Sequence, residues 1–322
     1  MTRCVVFGGA GFLGQHLLAH LASTGRDLVC VDRDRSRAPQ LPANCTFVEA
    51  SEEPLFYREV MRDADEIVDL AYASVPKTSF EDPVSDIFEN LPRVVRLCRA
   101  GVESRVTRMA LISSGGAIYG QPQGLPISEE HPTNPISPYG ITKLAVEKYA
   151  MMFHASDRLP VICLRPGNAY GQRQQPFRGQ GFVATAIASI LLGRAVEVFG
   201  ETGSIRDYIH VDDICGAITR ALDAGQIGAA YNVGTGVGTS NLMILDQLRS
   251  LAEADGFQMR VIHHPARAFD VCANVLDSSR IREDTGWRPA ISLERGLTCT
   301  WAWYAANPRS WQQSSAVADA EG

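Results

Sequence analysis

The chain has 322 residues, 45% hydrophobic and 20% charged, with a formal net charge of −6. This is the balance of a globular protein able to bury a large core, and a net negative charge gives no electrostatic reason to expect nucleic acid or a membrane as partner. The eight cysteines show no CxxC or metal-ligand spacing, and several lie inside apolar runs such as Val29-Cys30-Val31 and Ile162-Cys163-Leu164. Buried free thiols in a reducing compartment are therefore expected. The longest apolar stretch, Val183 to Leu192, is too short to span a bilayer. The N-terminus enters a strand directly, so the expectation is a cytoplasmic protein without a signal peptide.

Arg3 to Phe7 reads as a buried strand. The glycine-rich turn Gly8-Gly9-Ala10-Gly11-Phe12-Leu13-Gly14 follows, and then a helix through His16 to Ala22 that stops near Gly25. In this strand–turn–helix setting Gly8 permits the tight turn, Gly11 lets the backbone approach a pyrophosphate, and Gly14 lets helix and strand pack closely. The helix N-terminus favours the anion. Leu28 to Asp32 is the second strand. A carboxylate at its end can accept hydrogen bonds from a ribose diol and would repel a 2′-phosphate, which favours NAD over NADP. Arg33 beside it could pair with a phosphate.

Cys45–Val48, Glu66–Ala71 and Arg108–Ser113 read as the third to fifth strands, and Pro83 to Ala100 as a long helix with a kink or a broken start at Pro92. Ser137 then Pro138 read as an N-cap and first-turn proline of a helix to about Ala155. That helix carries Tyr139 and Lys143, at i and i+4 on one face. A nearby ammonium favours the phenolate, so the pair can supply a base well below the usual tyrosine pKa of about 10. By itself the spacing also fits a core tyrosine and a surface lysine. Pro160–Arg165 is the sixth strand.

This alternation predicts an α/β fold: a Rossmann-like doubly wound parallel sheet with a smaller, partly interleaved C-terminal substrate domain. The expected division is residues 1–170 for the dinucleotide domain, with 207–233 packing back on it, and 171–206 with 234–306 for the substrate domain. Residues 307–322 read as a loosely ordered tail. His210, Asp212 and Asp213 are expected to begin a helix rather than to bind metal, and no metal site is predicted.

Further segments carry a resemblance: Ser113 to Gly120, Leu164 to Gly171, Arg206 to Asp213 and Tyr231 to Gly236, together with the glycine turn and Tyr139-Gly140-Ile141-Thr142-Lys143. On these the chain resembles the extended short-chain dehydrogenase/reductases of the NAD-dependent nucleotide-sugar epimerase/dehydratase group, over nearly its whole length to about Tyr304. The resemblance implies an NAD site built from Gly8, Gly11, Phe12, Leu13, Gly14, Asp32, Arg33 and Ala71 with Tyr139 and Lys143. Tyr139 would take the proton from a sugar hydroxyl while hydride passes to the nicotinamide. Lys143 would bond the nicotinamide ribose and lower the tyrosine pKa.

Asn168, Arg206 and Arg267 match positions that contact the substrate diphosphate, where guanidinium groups pair with phosphate oxygens; structural ion pairs are the alternative for the arginines. Asp270 matches a carboxylate near a nucleoside ribose. The hydroxyl that relatives place five residues before the glycine of Tyr119-Gly120 falls here on Gly115, so Ser114 is expected to supply it, with Ser113 as substitute. The Asp-Glu pair of the group's dehydratases is replaced by Gly116 and Ala117. The implied activity is epimerisation at carbon 4 of a UDP-hexose, with 4-keto reduction by the same pair as runner-up. A non-catalytic dinucleotide sensor is a third reading, which the intact Tyr139–Lys143 pair disfavours. The resemblance also implies a homodimer joined through the helices at 83–100 and 138–155.

Overall fold

The computed structural model describes residues 1–38, 40–53, 55–201, 203–265 and 271–312. Its first half runs β1 (Arg3–Phe7), α1 (Phe12–Ala22), β2 (Asp27–Asp32), β3 (Cys45–Glu49), α2 (Phe56–Val60), β4 (Glu66–Asp69), α3 (Pro76–Glu81), α4 (Pro83–Ser104), β5 (Arg108–Ile112), α5 (Pro138–Asp157) and β6 (Val161–Pro166). There follow β7 (Asn168–Tyr170), α6 (Phe182–Leu191), β8 (Val196–Phe199), β9 (Ile205–His210), α7 (Val211–Ala224), β10 (Ala230–Val233), β11 (Gly238–Ser240), α8 (Asn241–Ala254), β12 (Val261–His264), β13 (Ala273–Asn274), α9 (Ser279–Thr285) and α10 (Leu293–Ala306).

Seven strands form one parallel sheet in the order β10-β6-β5-β4-β1-β2-β3. The order reverses direction between β1 and β4, and at such a switch point the strand ends open a crevice for ligand. The strands are apolar on both faces because helices cover both. Val6 joins Leu17, Leu21, Ile214 and Ile218 on the face of α1 and α7. Its neighbour Val5 joins Val94, Leu97, Val146 and Ala150 on the face of α4 and α5, as strand alternation requires. A third core holds Ile187, Ile190, Leu245, Leu248, Trp301 and Tyr304 from α6, α8 and α10.

Local signals set the helices that matter most. The Ser137 hydroxyl accepts from Gly140 N at 3.1 Å and Pro138 occupies the first turn of α5. Asp82 caps α4 in the same way through Ser85 N, 2.9 Å away. The expected helix forms as α4 from Pro83, with Pro92 inside one continuous helix, and a separate short helix, α3, precedes it ahead of Asp82. The first residues of the expected tail pack against the fold. Trp311 is 1% exposed, donates to Tyr304 O at 3.0 Å and belongs to the third core, so burial of one large indole ties the chain down through the start of that tail.

A buried carboxylate ties together loops of the second half of the chain. Asp207 on β9 accepts from Thr235 N at 2.8 Å, Gly236 N at 3.0 Å and Leu276 N at 3.2 Å. Burial pushes its pKa up, and these donors oppose the shift.

Candidate active site

The glycine turn sits where β1, α1 and the end of β4 converge. Gly8 has φ of +77°, and a Cβ there would stand 2.8 Å from Ala71 N. A Cβ on Gly14 would collide with Gly8 O and with the backbone of Gly9. Only glycine allows this approach. Gly11 caps α1 with no side-chain hydrogen bond, so the first-turn N–H groups, Phe12 and Leu13 among them, stand at an end suited to an anion. The Asp32 carboxylate accepts from Ala10 N at 2.9 Å and from Arg33 N at 2.8 Å. Its oxygens keep lone pairs for a ribose, beside a cavity of about 270 Å³ lined by Gly8, Gly11, Asp32, Arg33, Ser51 and Ala71.

A buried ion pair supports this cavity. Arg93 on α4 makes two 2.9 Å bonds to Asp69 at the end of β4, and also donates to Ala71 O at 2.6 Å. Asn90, fully buried one turn earlier, accepts from Ala73 N at 2.8 Å. Residues 69–73 are thus held against α4.

Tyr139 and Lys143 lie on α5 at the C-terminal ends of β4 and β5. Lys143 is 5% exposed and donates to Ile112 O at 3.0 Å. Burial drives its pKa down to about 7, with the Asp69 carboxylate pulling the other way. Burial pushes the Tyr139 phenol up, the Asp86 carboxylate adds to that, and a hydrogen bond from Ser114 lowers it by favouring the phenolate. The register of α5 is set four residues beyond the lysine, where Glu147 receives a two-point ion pair from Arg165 on β6.

Ser114 therefore meets Tyr139 directly. Gly115 has no room for a side chain, since a Cβ there would lie 2.6 Å from Leu276 Cδ1 and 2.7 Å from Arg165 O. Ser113 is buried, and its hydroxyl has no hydrogen-bond partner among the described residues. Tyr139 and Ser114 open onto a second cavity of about 540 Å³ that Gly116, Ala117, Asn168 and Arg206 also line. Arg206 projects from β9, next to the buried Asp207, with one guanidinium nitrogen 2.9 Å from Ile205 O.

The sequence-based set thus falls into two adjoining groups: the glycine turn with Asp32, Arg33 and Ala71, and Tyr139, Ser114, Asn168 and Arg206 around the larger cavity. Arg267 and Asp270 lie outside the described residues. His210 caps α7, and Asp213 in its first turn accepts from Ala290 N and Ile291 N. Sequence reasoning missed Tyr72, Asp86, Asn90 and Arg93. A signal was present for one of them: Asp69 ends an otherwise apolar strand, and a charge there needs a partner.

A family model described as the NAD dependent epimerase/dehydratase family matches residues 4–234. The chain is 35% identical over 309 residues to a UDP-glucose 4-epimerase of Mycolicibacterium smegmatis, covering 92% of this chain and 97% of that protein. It is also similar to the crystal structure of a UDP-glucose 4-epimerase with UDP-glucose from Thermotoga maritima, with TM-score 0.88, 31% identity and coverage of 95% and 99%. A UDP-glucose 4-epimerase of Thermus thermophilus in complex with NAD gives TM-score 0.86 at 31% identity, covering 94% of this chain and 99% of that one.

Proposed function

The chain belongs to the NAD dependent epimerase/dehydratase family, and from that premise we propose that it is an isomerase that inverts carbon 4 of a UDP-hexose, with NAD as resident cofactor. The observation that carries this is the convergence of Tyr139 and Ser114 on one cavity that Asn168 and Arg206 also line, with Lys143 one turn away on α5.

The residues present fit the cofactor. Gly8 and Gly14 leave a cradle that any side chain would fill, and Asp32 faces it with an oriented carboxylate. Gly8, Gly11, Phe12, Leu13 and Gly14 would hold the pyrophosphate, Asp32 and Arg33 the adenosine ribose, and Lys143 the nicotinamide ribose. When bound, NAD supplies the acceptor, and then the donor, of the hydride at carbon 4.

The chain's own groups handle the proton and the positioning. Tyr139 takes the proton of the 4-hydroxyl and returns it, with the Ser114 hydroxyl stabilising the phenolate and orienting the sugar. The Lys143 ammonium offsets the cost of forming that phenolate in a buried place. Arg206 and Asn168 hold the diphosphate, with Arg267 and Asp270 assigned to the same end of the substrate. Inversion requires the sugar to present its other face while the diphosphate stays anchored, and the 540 Å³ cavity gives it room. Dehydration would need acid–base groups where Gly116 and Ala117 line the cavity, so epimerisation is favoured within the family.

Substrate binding is assigned to residues 171–206 and 234–306, on the third core, and cofactor binding to residues 1–170 with 207–233. We also propose a homodimer. Val84, Ile87 and Phe88 on α4, with Ile141, Tyr149 and Met152 on α5, are exposed apolar side chains on two helices packed together, a patch of the kind that a second copy covers. A cytoplasmic location fits eight unpaired cysteines, five of them buried in β-strands or helices. Among the described residues no helix is long and apolar enough to cross a membrane.

The test is to incubate the purified protein, with no cofactor added, with UDP-glucose, UDP-galactose and their N-acetyl and uronate counterparts, and to resolve the products. Interconversion by the protein with its own bound NAD supports the proposal. Turnover only with added reduced cofactor would indicate a 4-ketoreductase, and turnover unchanged in Tyr139→Phe would remove the base.

A further inference from the structure

Tyr72 stands between the two cavities, immediately after the end of β4, and its ring is the surface on which the Lys143 ammonium rests. The nitrogen lies 3.9 Å from the Tyr72 ring centroid, against 5.8 Å from that of Tyr139. The two tyrosine rings meet edge to face at 5.1 Å and 75°. The Tyr72 hydroxyl lies 3.5 Å from Asp86 Oδ1. Asp86 is 2% exposed, receives the Ser74 hydroxyl, and keeps its second oxygen without a hydrogen-bond partner among the described residues.

We propose that Tyr72 is a positioning residue for catalysis, its ring face holding Lys143 in the ammonium form at a fixed distance from Tyr139. A buried ammonium needs compensation, and among the described residues no carboxylate makes an ion pair with it. It touches the Ile112 carbonyl and the Tyr72 ring face, and an aromatic quadrupole stabilises a desolvated cation. Edge-to-face contact with Tyr139 makes the same ring a spacer between base and cation, while Asp86 stands at its hydroxyl. The proposal rests on the assignment of Tyr139 and Lys143 as the catalytic pair. It adds a residue to that pair from outside α5.

The charged and titratable groups facing Lys143 are Asp69 at the end of β4, Asp86 and Arg93 on α4, Tyr139 on its own helix, and Tyr72 itself. Replacing Tyr72 by leucine leaves the others in place and removes the π face together with the hydroxyl, and Tyr72→Phe separates the two losses. The ammonium then loses a stabilising partner, its pKa falls, and activity that requires the charged lysine is lost at lower pH.

The experiment compares Tyr72→Phe with Tyr72→Leu in purified protein carrying NAD, with UDP-galactose as substrate and rates normalised to bound NAD. Phenylalanine keeps the ring and loses the hydroxyl anchor; leucine fills much of the space without a π face. The expected result is a kcat about tenfold lower in Tyr72→Leu than in Tyr72→Phe. KM should be similar in both, and the alkaline limb of kcat should move to lower pH in the leucine variant alone. Equal kcat and superimposable pH profiles would overturn the proposal, because a ring that only fills space is replaced by leucine. Tyr139→Phe is assayed beside them: if it keeps full activity, the catalytic pair itself is wrong, whereas its inactivity with matching Tyr72 variants sinks only the role of Tyr72.

Discussion

Ser114 and Tyr139 line one cavity, where the serine hydroxyl lowers the tyrosine pKa, while Gly115, one residue on, is packed against Leu276 and the Arg165 carbonyl too closely to carry a side chain. The hydroxyl and the missing space are two sides of one arrangement. Gly115 O also accepts from Asn274 Nδ2 at 3.0 Å, so the segment is pinned with Ser114 turned toward the tyrosine.

Ser114→Ala should lower kcat by about 10- to 100-fold with little change in KM, since the lost donor acts mainly on the developing phenolate. Gly115→Ser should not restore activity in that background. It should instead destabilise the fold by about 1–3 kcal/mol through overpacking. Steady-state kinetics and denaturant titration of the single and double variants check both statements.

Lys143 gives a prediction on stability and pH. Its pKa in the fold, about 7, lies below the unfolded value. Between these two values the unfolded chain binds more protons, so this group's contribution to stability rises with pH and its cost is full below the lower value. Lys143→Met should abolish activity yet raise the stability of the cofactor-free protein at neutral pH by on the order of 1–3 kcal/mol. The gain should shrink as pH rises toward about 10, the ordinary lysine value. Thermal unfolding followed across that range would contradict this if the gain stayed constant.

Arg93 and Asp69 form a buried pair whose side chains are 13% and 3% exposed. Removing either partner alone, as Arg93→Met or Asp69→Asn, should cost about 3–5 kcal/mol by stranding a buried charge or its donors. Because Arg93 also holds Ala71 O, bound NAD should dissociate faster from any variant that folds. The double variant should lose less than the sum, which a double-mutant cycle measures.

Asp32→Asn keeps the bond from Ala10 N and removes the charge that faces the ribose and repels a 2′-phosphate. NAD should bind about tenfold more weakly, and the preference for NAD over NADP should narrow, with Arg33 already beside it. Titration of the cofactor-free protein with each nucleotide decides it; an unchanged ratio would mean that Asp32 does not read the ribose.

Phe88 is 71% exposed in the second turn of α4. Phe88→Glu places a charge in the proposed subunit face and should turn a dimer into a monomer, with the monomer's fold intact. Sedimentation of both proteins tests this, and a dimer that survives the substitution would move the interface elsewhere.

The proposed dinucleotide site was legible in the sequence because its chemistry is local. Gly8, Gly11, Gly14 and Asp32 would act through backbone geometry and strand ends within a single β1-α1-β2 unit, and Tyr139 and Lys143 share one helical turn. Strand–helix alternation likewise determined the parallel sheet, since the strands are apolar at their centres and helices form most of the crossovers. Tertiary structure decided what depends on groups distant in the chain. Ser114 was one of two neighbouring serines until α5 packed across β5 and brought Tyr139 to it. Gly115 gained its meaning from Leu276, more than 150 residues away. Arg93 and Asp86 looked like polar residues of an amphipathic helix, and Tyr72 like a loop tyrosine. Their roles came from burial, because removing water is what makes a carboxylate, a guanidinium or a ring face specific to the one partner within reach.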